Sequence, residues 1–176
     1  MKVAEAAALA ERLRAAGRRI VLANGCFDLL HVGHIRYLEE ARRLGDVLFV
    51  GINSDSAVAR LKGHGRPLMP EHERAEMLGA LRAVDHVVVF DDDTADALIR
   101  AIKPDVHAKG TDYTVESVPE RATARAVGSA TAITGDPKRH ATRDLIATVI
   151  ERFGTGGAPQ CEVSTSKCEP SGEMTE

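Results

Sequence analysis

The chain has 176 residues, 44% of them hydrophobic and 28% charged, with a net charge of −3; this suits one globular domain around one core. No apolar run approaches the ~20 residues of a membrane helix, and the interleaved charges leave no basic stripe for nucleic-acid phosphates. Membrane insertion and nucleic-acid binding are therefore not expected. Cys26 lies in an apolar stretch and Cys161 and Cys168 in a polar one; without paired spacing or nearby histidine they read as free thiols, and no metal site is expected. An early acid, Glu5, and the interruptions Glu11, Arg12 and Arg14 do not resemble a secretion signal, so the expected location is the cytoplasm.

Residues 3–16 have helix-forming composition and end at Gly17, a usual residue for leaving a helix. Short runs rich in β-branched residues then predict five strands, at 20–23, 47–52, 86–90, 106–109 and 130–134. Helical spacing separates them: Ile35, Leu38, Ala41 and Leu44; Met77, Leu78 and Leu81; Ala97, Leu98, Ala101 and Ile102; and Leu145, Ile146, Val149, Ile150 and Phe153. Such alternation predicts an α/β fold, Rossmann-like and doubly wound, with a five-stranded parallel sheet, helices on both faces and a ligand crevice at the strands' carboxyl ends. Residues 1–153 form the expected domain. Residues 154–176 are Gly-, Ser- and Thr-rich and too polar to offset their ordering entropy, so they are expected to be a tail without stable structure.

The first predicted strand runs into Asn24-Gly25-Cys26-Phe27-Asp28-Leu29-Leu30-His31-Val32-Gly33-His34, with a helix starting near Gly33. Unpaired N–H groups and the helix dipole make such a start a site for phosphate. His31 and His34 flank the turn, and Gly33 between them leaves room for close approach. Two histidines three apart also suit a metal, but Asp28 and Glu39 supply no familiar third ligand.

The stretch from Asn24 to Asp28 with His31-Val32-Gly33-His34 resembles the cytidylyltransferase-like nucleotidyltransferase superfamily. Downstream, Val50-Gly51-Ile52-Asn53-Ser54-Asp55, Arg60-Leu61-Lys62-Gly63, Arg66-Pro67, Glu73-Arg74, Val84-Asp85, Pro104-Asp105 and Lys109-Gly110-Thr111-Asp112-Tyr113 are similar to the branch that contains heptose 1-phosphate adenylyltransferases. The likeness spans about residues 18–153. It implies in-line attack by a substrate phosphate on the α-phosphorus of a nucleoside triphosphate, with catalysis by positioning and charge stabilisation. By the same resemblance His31, His34 and Lys62 act on the phosphates, the backbone of Cys26 and Phe27 lies against the nucleotide, and Asp28 shapes the substrate-phosphate pocket. The implied reactants are ATP, with magnesium carried on its phosphates, and a sugar 1-phosphate, above all D-glycero-β-D-manno-heptose 1-phosphate. A homodimer is also implied.

Lys62 and Arg66 flank a Gly-rich stretch that suits either a phosphate clamp or a solvated loop. Glu73 and Arg74 near a helix start read as charges making ordinary surface pairs, whereas the resemblance sets Arg74 near the substrate or nucleotide. Lys109, Gly110 and Asp112 follow a strand on the ligand side, where the resemblance implies nucleotide contacts; Thr111 stands where the branch often has a second glycine. Thr142 opens the last helix and can cap it or bond phosphate. The branch's usual Ser-Thr pair is here Ala141-Thr142, with one hydroxyl fewer. Asp91-Asp92-Asp93 read as caps and dipole partners of the following helix. Two rival functions are a CTP-dependent cytidylyltransferase acting on glycerol 3-phosphate or a similar alcohol phosphate, and a nucleotide-binding regulatory protein without turnover. The absence of Gly-x-Gly-x-x-Gly in the first crossover argues against a dinucleotide site.

Overall fold

The computed structural model describes residues 1–136 and 142–154. Strands β1 (Ile20–Gly25), β2 (Val47–Asn53), β3 (His86–Phe90), β4 (Val106–Gly110) and β5 (Ala130–Thr134) form one parallel sheet in the order β3-β2-β1-β4-β5. The chain builds outward from β1 to β3, then returns to the other side of β1 for β4 and β5. That reversal, between β1 and β4, is where a doubly wound sheet opens a crevice at its carboxyl ends.

The helices are α1 (Val3–Ala15), α2 (Val32–Arg42), α3 (Asp55–Lys62), α4 (Glu71–Gly79), α5 (Asp96–Ile102), α6 (Arg121–Ala126) and α7 (Thr142–Phe153). Successive residues of a strand point to opposite faces, so the unbroken apolar run of β1 feeds two cores. Val21 and Ala23 pack with Tyr37, Leu38 and Ala41 of α2 and Leu78 of α4. Ile20 and Leu22 pack with Ala6 and Ala10 of α1 and Leu98, Ile99 and Ile102 of α5. Each large aliphatic side chain so buried contributes roughly 1.5–3 kcal/mol, and the two layers clamp the sheet from both sides. Gly51 lets α5 come close, because a Cβ there would lie 2.5 Å from Leu98 Cδ2.

All five strands fall where β-branched runs predict them, and three continue further: β1 to Gly25, β2 to Asn53 and β4 to Gly110. Asn24 and Gly25 therefore belong to the sheet. Helices α3 and α6 are not expected from apolar spacing, since they bury only Ala57 and Val58, and Thr123 and Ala124. The amphipathic α7 forms, but none of its residues is buried. The acid run also differs from expectation. The Asp91 carboxylate accepts from the Ser54 and Ser56 hydroxyls, and Asp93 pairs with Arg60 at 2.8 Å, so both fasten α3 instead of capping α5. Helix α5 starts after Ala95, with Asp96 in its first turn. Ala141 and the tail beyond Gly154 lie outside the described residues.

Candidate active site

A cleft of about 770 Å³ opens over the carboxyl ends of β1 and β4, walled by the loop after β1, the start of α2, the end of α3 and the start of α7. Cys26, Phe27, Asp28, His31, Gly33, His34, Lys62, Arg66, Lys109, Gly110, Asp112 and Thr142 all line it. These residues come from distant parts of the chain and meet because the strand order reverses here. Of the described residues given a catalytic, nucleotide or substrate role from the sequence, Arg74 alone is not part of the lining.

His31 is the residue from which α2 departs, and His34 sits in the first helical turn. Their rings stack with centroids 3.8 Å apart, and the edge of Phe27 meets His34 at 5.1 Å. Phe27 holds a left-handed backbone, φ 49°, with its ring buried against Tyr37; a non-glycine residue there stores about 1–3 kcal/mol, which the surrounding packing must hold in place. Burial, and then the neighbouring His31, push the His34 pKa down to about 4, against a smaller upward pull from Asp112. His34 is thus neutral near pH 7. Its Nδ1 faces the His31 backbone N–H at 3.4 Å. An acceptor at Nδ1 leaves the proton on Nε2, so the neutral ring can donate one hydrogen bond. The His34 N–H bonds back to the His31 carbonyl at 2.9 Å, while the N–H groups of Val32 and Gly33, ahead of it in the first turn of α2, have no acceptor within the helix and add further donors.

Asp28 is buried and accepts three hydrogen bonds: from Arg66 at 2.5 Å, from the Leu68 N–H at 2.7 Å and from the Met69 N–H at 3.1 Å. It ties the 63–70 loop to the loop after β1 and holds Arg66 at the cleft wall. Lys62 ends α3 and is exposed at the rim. Thr142 reaches the other side of the same loop, with its hydroxyl 3.4 Å from the Leu29 carbonyl. Arg74 is 1% exposed and donates to the carbonyls of Met69, Cys26 and Asn53 and to the Asp55 carboxylate, at 2.7–3.0 Å. It is neither a surface partner of Glu73 nor at the cleft surface. It buttresses the loop from behind.

Three residues given no site role from the sequence support the floor: Asn24 and Glu120 line it, and His107 lies fully buried beneath it. His107 Nε2 lies 2.9 Å from Asn24 Oδ1, and Lys109 Nζ lies 3.4 Å from the same oxygen. An ammonium can only donate, so the oxygen of Asn24 must face it; that oxygen can only accept, so His107 carries its proton on Nε2. Burial, and then Lys109, hold the His107 pKa down at about 4. Glu120 lies 3.3 Å from Lys109 and accepts from the Ala95 N–H at 3.2 Å. Burial raises its carboxyl, but Lys109 and the Ala95 N–H outweigh that and bring it below the ordinary glutamate value. The sequence held a signal for two of the three residues. His107 and Lys109, two apart in a buried strand, must share a face, and Asn24 stands opposite on β1. Glu120, from a loop, gave none.

A parallel α/β sheet whose first loop sets two histidines at a helix start over the strand crossover belongs to the nucleotide-phosphate-binding class. Residues 22–167 match the family described as cytidylyltransferase-like, and the chain belongs to that family. It is 48% identical over 147 residues to the bifunctional protein HldE of Pelobacter propionicus, covering 84% of this chain and 30% of that protein. To HldE of Geobacter sulfurreducens it is 44% identical over 141 residues, 80% of this chain and 29% of the relative. The chain thus spans under a third of the length of these relatives. Among solved structures, a lipopolysaccharide core biosynthesis protein from Thermoplasma volcanium is 28% identical with a TM-score of 0.60, covering 69% of this chain and 100% of that one.

Proposed function

We propose that the chain transfers AMP from ATP to a sugar 1-phosphate, D-glycero-β-D-manno-heptose 1-phosphate first among candidates, giving ADP-heptose and pyrophosphate. The observation that carries the reading is the stacked His31–His34 pair at the start of α2, with His34 held neutral, inside a cleft that also receives Lys62, Arg66 and Lys109. A phosphate oxygen of the sugar forms a bond to the α-phosphorus, and the bond from that phosphorus to the bridging oxygen breaks, pyrophosphate leaving with the electron pair. His34 Nε2 and the α2 N–H groups donate to oxygens on which charge grows, and no proton needs to be removed from the attacking phosphate. Lys62, exposed at the end of α3, offers a cation to the leaving phosphates. Asp28 holds Arg66 for the sugar phosphate, and the Cys26–Phe27 backbone, Lys109, Gly110, Asp112 and Thr142 serve the nucleotide.

By the family resemblance, magnesium comes with the triphosphate, held through phosphate and water and lowering the charge on the nucleotide. The choice of ATP and of heptose rests on the resemblance of Lys109-Gly110-Thr111-Asp112-Tyr113 and its companions, on the HldE relatives and on the likeness to a lipopolysaccharide core biosynthesis protein. The reading places the reaction in the cytoplasm and in a homodimer, which sedimentation equilibrium tests. No helix among the described residues is long and apolar enough to cross a membrane. The direct assay incubates the protein with Mg²⁺, each of ATP, CTP, GTP and UTP, and a panel of sugar and polyol phosphates, and measures pyrophosphate. Release with ATP and heptose 1-phosphate supports the proposal. Release with CTP and glycerol 3-phosphate would move it to the cytidylyltransferase rival, and release with no pair would favour a regulatory protein.

A further inference from the structure

The Lys109 ammonium is boxed on three sides. Glu120 stands 3.3 Å away, Asn24 Oδ1 3.4 Å, and the Tyr113 ring lies with its centroid 4.9 Å from Nζ. The fourth side is the cleft, which Lys109 lines. Both members of the ion pair are nearly inaccessible, their side chains 8% and 3% exposed. Burying two charges costs desolvation that their attraction barely repays, so such a pair adds little stability over apolar packing of the same shape. Its placement on the floor of the site gives it another use.

An ammonium has three donors. Asn24 and Glu120 engage two of them and leave the third for whatever enters the cleft. Glu120 cannot swing with its partner, because its Oε1 also accepts from the Ala95 N–H, at the start of α5, and its backbone begins α6. One carboxylate therefore joins two helix starts to the cation of β4. Its Oε2 lies within ion-pair distance of Lys109 but makes no hydrogen bond of good geometry among the described residues, so the charge of Glu120 matters here more than a fixed bond.

We propose that Glu120 is a positioning residue, acting through Lys109: it fixes the ammonium on the cleft floor so that its remaining donor meets the incoming nucleotide. This rests on the nucleotidyl-transfer reading. Glu120→Gln keeps the shape and the acceptor for Ala95 while removing the charge that aims Lys109. At a temperature where the variant is folded, kcat should fall about 10- to 100-fold, the cost of misplacing a group by about an ångström, with KM for ATP changing less. In a Lys109→Met background the same Glu120→Gln change should cost no further turnover, since there is no ammonium left to aim. Removing the charge should also relieve the instability that a lone buried carboxylate causes in Lys109→Met.

Wild-type kcat in folded Glu120→Gln would overturn the proposal. So would a loss of turnover that persists in full in the Lys109→Met background, which would make Glu120 act by itself. If Glu120→Gln does not fold, Glu120→Asp is the substitute, keeping the charge but withdrawing it by one methylene: lowered kcat supports the proposal, and wild-type kcat overturns it. Failure of the underlying reading looks different, since the wild-type protein would then release no pyrophosphate with any substrate pair.

Discussion

Two histidines here are held uncharged near neutrality for different ends. His34 and His107 both have pKa values of about 4 in the folded protein, against 6.5 for a free histidine, chiefly through burial. Between those values the unfolded chain binds protons that the folded chain does not. Their contribution to stability is complete above pH 6.5 and is lost as pH falls toward 4, at ~1.4 kcal/mol per pH unit for each group. The melting temperature should therefore drop from pH 7 to pH 5, and less so in His107→Gln; a melting temperature that held or rose would contradict these protonation states. At His34 the neutral ring serves as a donor whose bond strengthens as charge moves onto phosphate. Losing one such donor raises a barrier by ~3 kcal/mol. His34→Ala should then lower kcat by about two orders of magnitude with a small change in melting temperature. An unchanged kcat would remove His34 from the chemistry.

At the scale of elements, the sequence is most legible where β-branched residues cluster. Strands 86–90 and 130–134 coincide with the observed β3 and β5, because the β-branched residues of Val87-Val88-Val89 and of Thr131, Ile133 and Thr134 suit a pleated strand even at the partly buried sheet edges. Helices α3 and α6 escape because their apolar content is too small to set a period; α3 is held instead by Asp91 and Asp93, reached through residues some 35 positions away (Ser56 and Asp91). No local pattern could show that. Arg74 teaches the same lesson. Next to Glu73 on a helix it reads as a surface charge, yet the fold turns it inward, where it joins α4 to the ends of β1 and β2. Arg74→Lys offers fewer donors on a narrower head and leaves buried carbonyls unpaired at a cost of ~1–3 kcal/mol each. A clear fall in thermal stability with little change in KM for either substrate is the expected result. A raised KM at unchanged stability would return Arg74 to the substrate, as the family resemblance implies.

For the molecule as a whole, the site is a product of strand order. The loop after β1, the end of α3, the strand end at Lys109 and the start of α7 are up to 116 positions apart (Cys26 and Thr142), with Lys62 and Thr142 alone 80 apart, and they meet over the β1–β4 crossover. The first loop could be read directly, because two histidines, a glycine and a strand-to-helix setting are local features. The polar floor could be read only in part, since Glu120 joins Lys109 through tertiary structure. If the cleft directs attack on the α-phosphorus of ATP, the most direct measurement follows that atom. With ATP radiolabelled at the α-phosphorus and heptose 1-phosphate as acceptor, the label should appear in a new sugar nucleotide, one equivalent for each pyrophosphate released. Label remaining in ATP, or emerging as ADP or free AMP without a sugar adduct, would contradict the account.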